Sequence, residues 1–229
     1  RSPVQASVGC LFVPARRMLG DAKDKVYKAA VLNAIDRLKA NGTTVIHDIT
    51  NSGMSIEPLF NSGLRGVVYV EVLGPTPDIA QKRLEHARSL IDTWRPQEKP
   101  GGMRIGIAVH SPYTVIPDVW HDALDYVHDE NLPLCVHAAE SPAEYEFFTK
   151  GTGKMADYNA QLGNEVTSPG MTPIAYLEEI GALDLRPLIA HAVQITDDDV
   201  KIILANECAV VHCPRSNLRL HCGRMPLEK

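Results

Sequence analysis

The chain of 229 residues contains no Lys- or Arg-rich run, and its formal net charge is −5. That leaves no electrostatic footprint for nucleic acid or for an anionic membrane surface. No apolar run reaches the ~18 residues of a membrane span, and no secretory signal is legible. No CxxC occurs among the five cysteines, Cys10, Cys135, Cys208, Cys213 and Cys222. An odd count without paired spacing argues against a disulfide scaffold and predicts a reducing, cytoplasmic setting. No GxGxxG follows the first strand pattern and no GxxxxGK[ST] occurs, so neither common phosphate-cradling loop is present. What remains is an ordinary globular composition, 45% hydrophobic and 22% charged. Its one oddity is nine histidines.

A two-part unit repeats along the chain. Short, nearly continuous apolar runs occur at 43–49, 65–74, 104–110, 132–139, 186–193 and 208–214. Such runs are expected of parallel strands buried on both faces. Amphipathic stretches at 23–42, 76–94, 117–131 and 196–207 read as helices. Gly42 is a stop for the first, Thr76 a cap candidate for the second, and Pro117 an early-turn residue of the third. Thr196 and Asp199 resemble a capping box with Asp in place of Glu. The longer segment 142–180, with Gly151, Gly153, Gly163 and Gly170, reads as helix, loop, helix. Strands alternating with helices predict right-handed βαβ crossovers, a parallel sheet, and a single α/β domain over 1–229.

In closed parallel barrels, chemistry sits at the carboxyl ends of the strands. Those ends carry His47 with Asp48, Glu71, His110, His137 with Glu140, His191, and His212. One such histidine reads as a satisfied core residue. A histidine or glutamate at every end describes a shared site. Neutral imidazole is the commonest metal ligand, and Glu140, three residues past His137, is placed to move protons while His137 holds an ion. Other polar residues carry blander expectations. His47 and Asp48 read as a capped strand end, Trp94 and Trp120 as packing residues, and His86, His121 and His128 as surface. Arg215 reads as an anion contact or a loop ion pair. Cys208, His212, Cys213, His221 and Cys222 cluster within fifteen residues and leave a structural zinc module as a separate alternative.

VHAAES (136–141), HSPYT (110–114), IAHAV (189–193), VVHCPRSNLRL (210–220) and NGTTVIHD (41–48) together resemble the amidohydrolase superfamily. More narrowly they resemble its deaminase and chlorohydrolase branch, including aminodeoxyfutalosine and S-adenosylhomocysteine/methylthioadenosine deaminases. The resemblance implies a TIM (β/α)8-type barrel carrying a divalent metal ion, zinc or alternatively iron. It implies His137 as a metal ligand, and Glu140 and His191 as catalytic residues. His110 and Glu71 are implied as substrate contacts. Ser216 and Asn217 are implied as a loop-shaping pair that also belongs to the substrate side. Glu71 stands where the S-adenosylhomocysteine type has an arginine. A histidine at the end of the family's fourth strand, in place of a lysine, implies one metal ion.

The family's HxH pair on the first strand and aspartate on the eighth have no counterpart here. The chain is therefore expected to be an incomplete barrel of about six strands, the family's strands two to seven, without the family's β-sandwich. The implied function is metal-dependent hydrolytic deamination of an aminopurine- or nucleoside-like small molecule. The alternatives are a catalytically silent fragment of such an enzyme and a chlorohydrolase acting on an s-triazine-like ring. No nucleic acid or membrane partner is expected, and homodimers are implied by the family and by two open sheet edges.

Overall fold

The computed structural model describes residues 23–161 and 168–228. Cys10, the RSPVQ segment (1–5) and Gly163 lie outside them. Six strands form one sheet: β1 Val45–Thr50, β2 Arg65–Val72, β3 Met103–Val109, β4 Leu134–Ala138, β5 Leu188–His191 and β6 Ala209–Val211. Each pairs in parallel with the next in chain order. The helices are α1 Lys23–Ala40, α2 Ile56–Phe60, α3 Pro77–Trp94, α4 Pro117–Glu130, α5 Pro142–Lys150, α6 Lys154–Gln161, α7 Pro173–Glu179, α8 Asp197–Ala205 and α9 Pro214–Arg219. Sequential pairing with helical crossovers gives six parallel strands of a half-barrel, as the strand and helix patterns predict. Among the described residues, no helix is long and apolar enough to cross a membrane.

Alternation along the strands divides the apolar residues between two faces. Val68, Val70, Val72, Ile105, Ile107, Val109, Val136 and Ile189 belong to the large core, together with Ala80, Leu84, Ala87 and Ile91 of α3 and Trp120, Ala123 and Val127 of α4. The other face carries a smaller cluster of Val67, Tyr69, Ala108 and Cys135, joined by Ile49 and Leu188. Continuing β2, β3 and β4 in steps of two from that cluster reaches Glu71, His110 and His137. The pleat thus delivers these polar side chains to the concave face. Ile107 is fully buried in the outer core. Ile107→Val should cost about 0.5–1.5 kcal/mol, read as a lower denaturant midpoint at unchanged slope.

Helix ends follow their local chemistry. Pro occupies the first turn of α3, α4, α5, α7 and α9, where its missing N–H leaves no intrahelical bond unmade. Thr196 and Asp199 form the expected reciprocal cap of α8. Asp199 is nearly fully buried and also accepts from the Thr172 hydroxyl at the start of α7, which ties two crossover helices together. Trp120 is buried, Trp94 packs against the core, and His86, His121 and His128 are exposed, as expected.

Several local expectations are corrected. Among its described residues the 142–180 segment holds three helices, because left-handed Gly151 (φ 67°) caps α5 and a new helix starts at Lys154. β1 runs on to Thr50, so His47 and Asp48 lie inside the strand and cap nothing. His47 Nδ1 is 3.1 Å from the Tyr69 hydroxyl, and Asp48 accepts from Ser55 at 2.6 Å. Thr76 occupies the N-cap position of α3, but its side chain makes no capping bond.

Candidate active site

Three imidazoles meet at the carboxyl end of the sheet. The ring centroids of His110 and His137 are 4.9 Å apart, and those of His137 and His191 are 5.4 Å apart. The Glu140 carboxylate lies 3.5 Å from His191 Nδ1. On the far side Glu71 Oε1 is 4.0 Å from His110 Nε2, too long for a hydrogen bond but close enough to share a pocket. His137, His110, His191, Glu140 and Glu71 therefore occupy one rim. The convergence expected from the strand ends is present.

Backbone hydrogen bonds hold this rim. The His110 carbonyl accepts from both the backbone N–H and the ring Nδ1–H of His137, each at 2.9 Å. That contact fixes the proton on Nδ1 and leaves the Nε2 lone pair free. His110 Nδ1 lies 2.7 Å from Thr114 Oγ1 and 3.2 Å from Ser111 Oγ, so the SPYT turn anchors its ring. Glu71 Oε2 accepts from Asn51 Nδ2 at 3.3 Å, and Asn51 Oδ1 in turn accepts from Arg83 at 3.0 Å. This chain runs from α3 to the pocket wall. Nothing in the sequence separated Asn51 and Arg83 from ordinary surface residues, because they meet Glu71 only through the sheet's register.

His191 departs from its strand. Alternation from Leu188 and Ile189 would turn its ring toward the helices. Its backbone takes φ 80°, and Ala192 follows at 45°. Ala139, at the end of β4, has φ 53°. Left-handed conformations at non-glycine residues cost about 1–3 kcal/mol each and persist only where surroundings enforce them. Here the enforcement is visible. Ala192 N–H bonds to the Ala138 carbonyl at 3.1 Å, and the N–H groups of Val193 and Gln194 both bond to the Ala139 carbonyl at 2.8 Å. The two turns that follow β4 and β5 are stitched to each other, and they carry Glu140 and His191.

Sequence reasoning missed Glu144. Its side chain is almost completely buried and accepts the backbone N–H of Ala139 at 2.8 Å and of Glu140 at 2.7 Å. Ser141 Oγ meanwhile accepts the Glu144 N–H at 3.1 Å. The signal was present as Ser141-x-x-Glu144 ahead of Phe147 and Phe148, a capping-box spacing. The carboxylate reaches past the cap residue to the turn that aims Glu140. Asn217 is fully buried, with Oδ1 2.8 Å from His191 Nδ1, while Ser216 is half-buried on α9. Arg215 is exposed.

Burial sets the protonation states. It lowers His110 to about 3, reinforced by His137 and His191. It lowers His137 against the opposing pull of its bond to the His110 carbonyl. It lowers His191 against the opposing bond to Asn217. All three rings are therefore neutral at pH 7 and carry lone pairs. Burial raises Glu140, partly opposed by His137, and so moves it toward proton-donating range. The cysteine–histidine cluster near the C-terminal end does not assemble. Among the described residues no three His, Cys, Asp or Glu side chains could hold an ion. Cys208 Sγ faces the Leu183 carbonyl, Cys213 Sγ that of Val211, and Cys222 Sγ that of Leu220.

A family model described as Amidohydrolase family matches residues 9–229. The chain belongs to the amidohydrolase family. It is 37% identical over 205 residues to an aminodeoxyfutalosine deaminase of Deinococcus radiodurans, covering 85% of this chain and 49% of that one. Its fold matches an aminofutalosine deaminase from Helicobacter pylori with TM-score 0.75 at 22% identity, over 88% of this chain and 50% of the other. It also matches an adenosine deaminase from Xanthomonas campestris with bound zinc, with TM-score 0.68 at 24% identity, over 98% and 44%. This amidohydrolase chain thus spans about half the length of the curated relatives it matches. Its half-barrel corresponds to half of the solved neighbour.

Proposed function

We propose that this rim belongs to a hydrolase that removes the amino group from a 6-aminopurine nucleoside derivative and releases ammonia. The observation that carries the reading is the 3.5 Å approach of Glu140 to His191 beside two further neutral imidazoles. The relative named aminodeoxyfutalosine deaminase, at 37% identity, supports the substrate class over an s-triazine ring.

Zinc in the Xanthomonas campestris neighbour supports a divalent ion. The residues here fit one in part. His137 would be its ligand through Nε2, since Nδ1 already donates to the His110 carbonyl, the tautomer-fixing contact that metal-binding histidines use. Catalytic zinc sites use three protein ligands, so two further donors would have to come from outside the described residues. When bound, such an ion supplies Lewis-acid activation of water, lowering its pKa toward ~7.

The chain's own residues do the rest. Water adds to the amine-bearing ring carbon, which interrupts the aromatic ring. Glu140, whose protonated form burial favours, gives a proton to the adjacent ring nitrogen. Glu140 recovers a proton from the added water and passes it to the departing amine, and the remaining hydroxyl proton returns to Glu140, so that amine plus water becomes carbonyl plus ammonia. His191, protonated on Nδ1, offers Nε2 as the acceptor that orients the incoming water. Glu71 and His110 form the wall against which the rest of the substrate lies.

The test is ammonia release from 6-aminopurine nucleosides by the complete gene product, with its metal content measured alongside. Ammonia should be released, and His137→Ala should lose the ion. A folded, ion-loaded product that releases no ammonia from such compounds would overturn the deaminase reading. Unchanged ion content in His137→Ala would overturn the ligand assignment.

A further inference from the structure

Asn217 touches two imidazoles at once. Its Oδ1 is 2.8 Å from His191 Nδ1, and its Nδ2 is 3.3 Å from His212 Nδ1. The side chain is fully buried, and its residue is tethered at both backbone groups. The Asn217 N–H bonds to the Cys213 carbonyl at 2.9 Å, and the Asn217 carbonyl accepts the Cys222 N–H at 2.8 Å. An amide has one accepting and one donating end. Two histidines that meet opposite ends of one amide through the same ring nitrogen must carry their protons differently.

We propose that Asn217 is a positioning residue that sets opposite tautomers on two histidines, holding the proton on Nδ1 of His191 and on Nε2 of His212. The orientation of the amide is decided by a second, independent contact. His191 Nδ1 also faces Glu140 Oε1 at 3.5 Å. The Asn217 amide oxygen and the ionised Glu140 carboxylate are both acceptors, so the ring nitrogen between them carries the proton. A reversed amide would set an Nδ1 lone pair of His191 against a carboxylate and leave it without a donor role. His212 consequently accepts from Asn217 and keeps its proton on Nε2. It lines a cavity of about 600 Å³ with Asn217, Leu218, His221 and Arg224. In this tautomer neither nitrogen of His212 is free to ligate a cation, whereas His191 keeps a free Nε2 lone pair at the rim.

The consequence for chemistry rests on the deaminase reading of His191, but the tautomers themselves do not. They can be read from the imidazole nitrogen resonances of the full chain labelled with 15N-histidine. No substrate is needed, and the pH is held well above 7. His191→Gln and His212→Gln assign the signals. The expected pattern is pyrrole-type Nδ1 and pyridine-type Nε2 for His191, and the reverse for His212. Asn217→Asp keeps the acceptor and removes the donor, so His191 should hold its pattern while His212 Nδ1 changes from pyridine-type to pyrrole-type. Asn217→Leu removes both contacts, and His191 should shift toward Nε2–H, the form a free imidazole prefers. If Asn217→Leu does not fold, Asn217→Asp decides the matter alone. An Nε2–H pattern for His191 in the unmutated chain, or an unmoved His212 in Asn217→Asp, would overturn the inference. Absence of ammonia release with the expected tautomers would count against the deaminase reading only.

Discussion

Glu140→Gln in the complete gene product is expected to lower deamination about 10²–10⁴-fold, the span typical of a lost general acid, while leaving bound metal and fold unchanged. Each factor of ten corresponds to ~1.36 kcal/mol of barrier. Glutamine keeps the volume and the backbone, so the turn that aims the side chain survives. What disappears is the proton. Burial raises the Glu140 carboxyl from its ordinary value, opposed by His137, which favours the proton-carrying form that the step requires. The loss should fall on kcat more than on KM, because the proton is needed as the ring loses aromaticity. Turnover within a few-fold of the unmutated enzyme would remove Glu140 from the mechanism.

Glu144→Ala should cost about 2–6 kcal/mol of stability, because two buried N–H groups, those of Ala139 and Glu140, lose their acceptor at about 1–3 kcal/mol each. The same carboxyl gives a pH signature. Burial raises it to about 7 against the opposing pull of its backbone donors, from an unfolded value of 4.5. The folded chain therefore binds more protons than the unfolded chain between those values, and stability falls as pH rises from about 4.5 to 7. At 1.36 kcal/mol per unit the contribution is on the order of 3 kcal/mol. Glu144→Gln should flatten that part of the stability curve, read by urea unfolding at pH 5, 6, 7 and 8. An unchanged slope in the variant would show that the titration belongs to another group.

The architecture was legible because it rests on periodicity. Runs such as RIGIAVH and LPLCVHAA could only be strands covered on both sides, and every predicted strand is present. The Thr196–Asp199 cap was legible because capping is local. The His110–His137 pair followed from topology, since parallel neighbours bring their tips together. His191 was harder. Its ring reaches the rim only because φ 80° takes it out of the pleat, and no spacing rule announces a strained alanine–histidine turn. Glu144 and Asn217 were partly hidden for one reason. Their importance lies in which backbone or imidazole they touch across the fold, and a sequence states neighbours along the chain only. The helix–loop–helix reading of 142–180 failed at Gly151, whose left-handed cap closes α5 and lets a further helix start at Lys154.

The central claim is that side chains spread from Glu71 to His191 serve one small molecule at one rim. A crystal structure of the complete gene product with a bound 6-aminopurine nucleoside analogue tests it most directly. The account predicts the purine ring in contact with His110, His191 and Glu140, with Glu140 against a ring nitrogen and His137 beside the amine-bearing carbon. A ligand seated elsewhere, with His110, His137 and His191 facing none of it, would contradict the account.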